Sequence, residues 1–484
     1  MEQRINQLNE FLKEDYTRWG SREYLEEFGT GKKVTFAEFI EDVNYLAQWF
    51  ISNGYKGKNI GIFSPNSIAW MITDIAVMNY VGMCVGLSKD WVGENLIYAI
   101  EKCDIECLLY GAANAEVVDG VKDRFPGIRF ICIEEEFDKM LEEGKRDLPE
   151  LFALPEQSSD APAKVVFTSG TTSFPKAVML SITNCFFSWK SLQRRITLGT
   201  DDICYLFLPL NHTYGSIFNF MYSLVFGYKI VLADKIPEMA QEMMAVRPTA
   251  FSAVPLVCKK FQDGAAAMNL PIQALLGGRL KYLFCGGATL PLEMRNAYAK
   301  EGIYLMNAYA LSETASGFAI DYPNETDPDS AGTVLEDVEV KVVDPEEDGY
   351  GELAIRGDNI FLGYYKDEEA TRKVMAPDGF FLTGDIGKIV DNKVYLRGRK
   401  DTMITLSNGE NISSSKIASK VKAISPDIVQ VKAYVRDGIL TCDIYAPADS
   451  SADFDKLIAD LNNTLPKFER IKAFTVMDSA GLIK

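Results

Sequence analysis

Between about residue 33 and residue 310 the chain repeats one alternation, a short and almost wholly apolar run followed by an amphipathic segment of helical period. The runs include NIGIFSP, KCDIECLLYG, GIRFICIEE, AKVVFTSG, DICYLFLPL, KIVLAD, RPTAFSAVP and LKYLFCGG. Runs this apolar have to be covered on both faces, and a helix between successive strands lets them lie parallel. The pattern predicts parallel α/β layers. After about residue 320 the texture changes. VEVKVVD, YGELAIRG, GFFLTGDIGKIV and NKVYLRGR alternate apolar and polar residues between Gly and Asp turns. That predicts an antiparallel, barrel-like subdomain over 320–399, attached to the α/β layers as a small β-barrel. From about 402 a hairpin signal at SNGE, a helix at SSSKIASKVKAI, strands VQVKAYVRDG and ILTCDIYAP, and a helix at SADFDKLIADLNNTL predict a compact α+β unit. The expected organisation is a large domain 1–399, a small domain 402–484 and a boundary at Arg399–Asp401. The segment KRDLPELFALPEQSSDAPA is the most linker-like stretch.

Charge and composition exclude several function classes. With Lys+Arg 50 against Asp+Glu 68 the net charge is −18, which argues against non-specific binding to nucleic acid or anionic membrane. The nine cysteines form no C-x-x-C pair, so neither a zinc cage nor a disulfide framework is suggested, and a reducing, cytoplasmic setting fits. His212 is the only histidine, so a site needing two histidine ligands cannot form within one chain. No G-x-S-x-G elbow is present for a serine hydrolase. The charged start MEQRINQLNEFLKEDYTRWG reads as an amphipathic helix. The most membrane-like stretch, Ser67–Leu87, carries Asp74 and Asn79, and reads as a buried helix with no membrane span.

Four segments carry chemistry. In Phe167–Lys176 (FTSGTTSFPK) a strand enters a loop rich in hydroxyls and glycine that ends in Pro175-Lys176. Small residues let backbone N–H groups approach phosphate oxygens, and a lysine adds a point charge. It is not a Walker loop, and an ordinary Ser/Thr turn explains the composition equally well. The segment LPLNHTYG places His212 in a turn after a strand; a lone histidine is more often structural. In MNAYALSET, Tyr309, Ser312 and Glu313 follow an apolar strand, and Glu313 has the oxygen chemistry for Mg²⁺ or starts a helix. FLTGD, ending at Asp385, and the later Arg399-Lys400-Asp401 offer a carboxylate for ribose hydroxyls or a solvated turn.

The order of these pieces is more specific than any one of them. T-S-G-T-T-x-x-P-K, L-P-L-x-H-x-x-G, Y-x-x-[ST]-E, the Gly351-Glu352-Leu353 element reaching Gly363-Tyr364, T-G-D and G-R-x-D together resemble the motif series of the acyl-adenylate-forming (AMP-binding) superfamily. The H-T-Y-G and L-S-N-G-E-N-I segments are most similar to those of acyl-CoA synthetases. The resemblance implies a large domain, a mobile small domain and a carboxylic acid joined to AMP from ATP. The acyl group then passes to a thiol, either CoA or a carrier-protein phosphopantetheine. It implies that Thr168, Ser169, Gly170, Thr171, Thr172 and Lys176 bind phosphate, and that Glu313 and Thr172 hold Mg²⁺. Gly287, Ala288, Asn307, Ala308, Tyr309 and Ser312 would bind ATP, with Tyr309 stacked on adenine, and Asp385 would hold the ribose with help from Arg399. Tyr214, Gly286, Gly287 and Ala310 would wall the acid pocket, with His212 as a gate toward the thiol. Asp401 would be the hinge, and Gly409 would line the thiol channel. No aspartate follows H-T-Y-G to bind an α-amine, so a fatty or aromatic acid is expected. A stand-alone ligase for acyl carrier protein, a peptide-synthetase-type adenylation enzyme and a silent nucleotide-binding protein are the alternatives.

Three departures stand out. Ser173 and Ala177 replace glycines of the phosphate loop, and Ala310 replaces the glycine beside the acid pocket. At the C-terminus Leu482 stands where the family carries a lysine that contacts carboxylate and phosphate. Leucine brings no charge to a developing transition state. A naturally slow adenylation, replacement by Lys484, and an introduced change are the three readings. If Leu482 limits adenylation, Leu482→Lys raises acid-dependent pyrophosphate release by orders of magnitude; an unchanged rate shows that it does not.

Overall fold

The structure is a computed structural model that describes residues 6–168, 175–286, 290–315, 317–323, 325, 327–405, 411–436, 439–465 and 469–479. The chain divides into two compact units. One comprises 1–340, 355–381 and 392–394, the other 341–354, 382–391 and 395–484.

The first unit contains two sheets. The first sheet runs in the order Gly363–Tyr364, Lys176–Ser181, Pro162–Thr168, Met83–Gly86, Asn59–Phe63, Ile105–Tyr110, Arg129–Cys132. It is parallel from Pro162–Thr168 onward and antiparallel at the other edge. In the second, Tyr304–Tyr309, Tyr282–Gly286, Ala250–Ala253, Ile203–Leu206, Lys229–Leu232 and Glu23–Glu27 are successive parallel neighbours. Each apolar run singled out in the sequence up to residue 310 supplies a strand of one sheet or the other.

Local chemistry sets the helix limits. Phe36–Ser52 starts in a capping box: the Glu38 N–H donates to Thr35 Oγ1 at 3.2 Å and the Thr35 N–H to Glu38 Oε2 at 2.7 Å. Phe36, Phe39, Ile40, Val43 and Leu46 then bury one face. The run GIRFICIEE is strand only to Cys132, where the helix Ile133–Asp147 begins. Glu134, Glu135 and Glu136 occupy its first turn, where the helix dipole favours negative charge over continued strand. That helix also takes in the first residues of the linker-like segment.

The membrane-like stretch is core. Ile68–Ala76 is α-helix, Val77–Val81 a π-helical turn and Met83–Gly86 a central strand, all buried. No helix among the described residues is long and apolar enough to cross a membrane. Its one charge, Asp74, is matched. Lys164 Nζ donates to both Asp74 carboxylate oxygens at 2.7 Å, and both side chains are fully buried. The ammonium also lies 5.0 Å from the Trp70 ring centroid. Burial acts to lower the Lys164 pKa, but the Asp74 carboxylate, together with Cys84 and Cys185, holds it above its ordinary value.

In the second unit, Gln430–Arg436 pairs antiparallel with Ile439–Ala446, which pairs parallel with Ala473–Asp478. Ile417 and Val421 of helix Ser414–Lys422 and Ile458 of helix Phe454–Thr464 join Leu440, Cys442 and Ile444 in one core. Met403–Thr405 and Asn411–Ser413 pair antiparallel around the SNGE signal, which lies outside the described residues. Strands Glu339–Val343, Gly351–Arg356, Phe381–Val390 and Lys393–Arg399 are neighbours in that order.

Removing one partner of a buried ion pair strands the other charge. Lys164→Ala is therefore expected to cost about 3–5 kcal/mol of unfolding free energy in urea denaturation. A loss within the range of ordinary surface substitutions contradicts this account.

Candidate active site

The phosphate-loop motif closes a β-hairpin. Pro162–Thr168 and Lys176–Ser181 run antiparallel, with Thr168 opposite Lys176. Ser169, Gly170, Thr171 and Thr172 lie outside the described residues. Lys176 Nζ sits over the Tyr364 ring, 4.7 Å from its centroid. The Tyr364 hydroxyl donates to Glu313 Oε1 at 2.8 Å, and the Phe361 N–H donates to the Glu313 carbonyl at 2.9 Å. Glu313 is carried by the 3₁₀ turn Ser312–Thr314, which Thr314 Oγ1 braces by accepting the Leu311 N–H at 2.9 Å. The fold thus brings together Lys176 and Glu313, which are far apart in sequence.

A cavity of about 280 Å³ opens beside this turn. His212, Tyr214, Gly286 and Ala310, which the resemblance assigns to the acid pocket, line it together with Ala308, Tyr309 and Ser312, which it assigns to ATP. The remaining lining is largely apolar, including Leu192, Phe218, Val254, Phe318, Ile320 and Leu335. Tyr214–Met221 is π-helical, a form that often marks functional segments. Its entry is tight: a Cβ on Gly215 would lie 2.3 Å from the Pro209 carbonyl oxygen. Asn219 donates to the Tyr214 carbonyl at 2.7 Å, and the Tyr228 hydroxyl donates to the Asn219 carbonyl at 2.6 Å. These bonds hold Phe218 edge-on against Phe284, with centroids 5.0 Å apart. Tyr309 stands edge-on to Phe318 at 4.6 Å. Ala310 faces Gly317, where an added Cβ would come within 3.2 Å of the Ala310 Cβ.

Asn307 is placed apart from the lining. Its side-chain amide donates to the Ser330 carbonyl at 3.1 Å, and its N–H donates to Asp321, which is paired with Arg295 at 2.6 Å. Gly287 and Ala288 lie outside the described residues. Phe218 and Tyr364 are what motif reading left without a role. The phenylalanines after H-T-Y-G and the tyrosine ending the G-Y element were the available signals.

In the second unit Asp385 is buried and Arg399 Nη1 donates to its Oδ1 at 3.3 Å and to the Thr383 carbonyl at 3.1 Å. T-G-D lies within the strand Phe381–Val390 and not in a turn; Gly384 has φ +71°, and a Cβ there would lie 3.0 Å from the Arg399 guanidinium, so the position requires glycine. Glu352 accepts the Gly384 N–H at 3.1 Å and pairs with Lys400 at 2.7 Å. Asp401 lies 3.6 Å from Arg399 Nε. Gly409 and Leu482 lie outside the described residues.

Among the described residues no group of three or more His, Cys, Asp or Glu could cage a metal. A single carboxylate, Glu313, fits instead an ion such as Mg²⁺, which takes few protein ligands and shares the rest with substrate phosphates. His212 is exposed at the cavity mouth, yet the protein around the ring lowers its pKa by desolvation.

These features define an α/β protein in which a hairpin bearing Thr168 and Lys176 and a largely apolar cavity belong to the same unit. The chain belongs to the AMP-binding enzyme family, whose model matches residues 12–365. It is 26% identical over 473 residues to long-chain-fatty-acid–CoA ligase 5 of Rattus norvegicus, covering 83% of this chain and 68% of that protein. It is also 26% identical to fatty acyl-CoA synthetase A of Dictyostelium discoideum, covering 86% of this chain and 72% of that one. In fold it matches the anthranilate CoA ligase AuaEII in complex with anthranoyl-AMP at a TM-score of 0.82. That match has 16% identity and covers 99% and 94% of the two chains. The protein is an acid–thiol ligase of the AMP-forming, acyl-CoA synthetase type, and enzymes of this family use ATP and CoA.

Because His212 is the only histidine, its titration can be read without assignment. In NMR of the tag-free protein the single imidazole signal is expected to titrate with a midpoint below 6.5. Its neutral form is favoured by the fold, so its stability contribution is present above the unfolded pKa and fades as pH falls through the folded one. A midpoint at or above 6.5 contradicts the placement.

Proposed function

We propose that this ligase activates a monocarboxylic acid with an apolar body, fatty or aromatic, and passes the acyl group to CoA. The carrying observation is the cavity lining, which among the described residues contains no Asp, Glu, Lys or Arg. A substrate ammonium or second carboxylate placed there would be desolvated without a counter-charge, which costs more than the cavity returns. His212 does not change this, since its lowered pKa favours the neutral ring.

In this reading the acid's carboxylate attacks the α-phosphorus of ATP, the bond to the β-phosphate oxygen breaks, and pyrophosphate leaves. The thiol then displaces AMP from the acyl carbon. Lys176 and Thr168, with Ser169, Gly170, Thr171 and Thr172, hold phosphate oxygens. Glu313 and Thr172 would hold Mg²⁺, which neutralises phosphate charge when bound. Tyr309 and Ala308 take the adenine and Asp385 with Arg399 the ribose. Positioning two anions and neutralising charge supplies most of the catalysis. In this reading Asp401 is a hinge residue and Gly409 lines the thiol channel.

The test is ATP-dependent pyrophosphate release across fatty, aryl, dicarboxylic and amino acids, each with and without CoA. Release with fatty or aryl acids, and acyl-CoA formation when CoA is present, is expected. Release confined to amino or dicarboxylic acids overturns the pocket argument. Acyl transfer to a carrier protein alone overturns the assignment of CoA. No release with any acid, by the protein or its Leu482→Lys variant, overturns the enzymatic reading in favour of a nucleotide-binding protein.

A further inference from the structure

Lys176 and Glu313 meet through one side chain, Tyr364, which is 5% exposed. Its ring lies under the Lys176 ammonium at 4.7 Å and its hydroxyl donates to Glu313 Oε1 at 2.8 Å. Tyr364 belongs to a strap, Phe361–Tyr365, that is bonded to the strand beginning at Lys176 and to the Glu313 backbone. Tyr364 is opposite Val178 and Gly363 opposite Met179. The Leu362 N–H donates to Met179 and the Tyr365 N–H to Ala177, each of them on the strand that begins at Lys176. From the same strap the Phe361 N–H donates to the Glu313 carbonyl. Thr371 Oγ1 accepts the Tyr364 N–H at 2.9 Å, and Phe361 packs edge-on to the Tyr364 ring at 4.9 Å.

We infer that Tyr364 is the positioning residue that sets the phosphate-loop lysine and the metal-binding carboxylate at a fixed spacing for MgATP. The inference rests on the proposed roles of Lys176 and Glu313. The two contacts act differently. The ring face attracts an ammonium, and gives Lys176 a defined place to sit. The hydroxyl occupies one acceptor site of Glu313 and fixes the carboxylate plane, leaving the other lone pairs for an ion. A lysine above the ring also draws electron density from the phenol, which strengthens the O–H as a donor to the carboxylate. Tyr364 touches neither substrate nor reacting atoms in this scheme.

The two contacts are separable by substitution. Tyr364→Phe keeps the ring and deletes the donor; Tyr364→Leu deletes both. ATP affinity is measured by calorimetry with and without Mg²⁺, beside the Mg²⁺ dependence of pyrophosphate release and the Tm of each variant. For Tyr364→Phe we expect unchanged ATP affinity without Mg²⁺ and a rise of about tenfold in the Mg²⁺ concentration needed, the size expected from a lost bond to a charged group. For Tyr364→Leu we expect weaker ATP binding without Mg²⁺ as well. Wild-type Mg²⁺ dependence in Tyr364→Phe overturns the inference. So does a loss of ATP affinity in both variants that is equal with and without Mg²⁺ and follows Tm, the result of a merely structural role. If the unsubstituted protein binds no ATP, the ligase reading fails first, and the inference with it.

Discussion

A salt bridge without solvent holds the first sheet to the site. Asp74 enters from a helix, Lys164 from the strand that runs directly to Thr168. The pair is costly to assemble and more costly to break, because either charge alone would be left in a low-dielectric core. That asymmetry fixes the depth of the helix Ile68–Ala76 against the strand Pro162–Thr168. The hairpin that carries the phosphate-loop motif extends from that strand, so the position of Thr168 and Lys176 is tied to the pair. The same aspartate that disqualifies Ser67–Leu87 as a membrane span is thus what locks it into the core.

At the candidate site, charge and apolar volume are kept apart. Lys176, Tyr364 and Glu313 form a connected polar group, whereas the adjoining cavity is walled by aromatic and aliphatic side chains. His212 stands at the mouth with its neutral form favoured. An arrangement of this kind suits a molecule with one anionic end and an apolar body. In the proposed reading the anionic end is met by cations and donors, and the body is desolvated where no charged side chain lines the wall. Rejection of amino acids is then expected from the missing counter-charge, because an unpaired buried ammonium is costly.

Much of this was legible in the residues. Strands buried on both faces announce themselves as apolar runs, and every run named up to residue 310 is a strand at least in part. The run GIRFICIEE shows where the reading stops: apolar character continues past Cys132, but three glutamates shift the balance to a helix N-terminus. The site was legible as motifs but not as faces. Asn307 and Ala308 are adjacent in the motif, yet the cavity lining starts at Ala308 and leaves Asn307 out. Ala308 pairs with Gly286 on the cavity side, while Asn307 is spent on Ser330. The π-helical turn Tyr214–Met221 has no periodic signature in so short a segment. Tyr364 was invisible as a bridge because Lys176 and Glu313 are its partners only through the pairing of distant strands.

The hairpin explains why such a bridge matters here. A Walker-type loop opens a helix, whose N-terminal N–H groups and dipole supply part of the positive field a phosphate requires. In this fold the chain continues after the loop as the antiparallel strand Lys176–Ser181 and not as a helix. In the proposed reading the positive charge comes from Lys176 and a bound cation. A lysine on a flexible stem and a carboxylate on a short turn are then the two movable parts of the field. Their spacing is worth fixing, because electrostatic stabilisation of a developing charge falls off with small displacements. The strap Phe361–Tyr365 does this through backbone bonds to both elements and one tyrosine that touches both side chains. The buried ion pair sets where the hairpin stands, and the strap sets where its charge points.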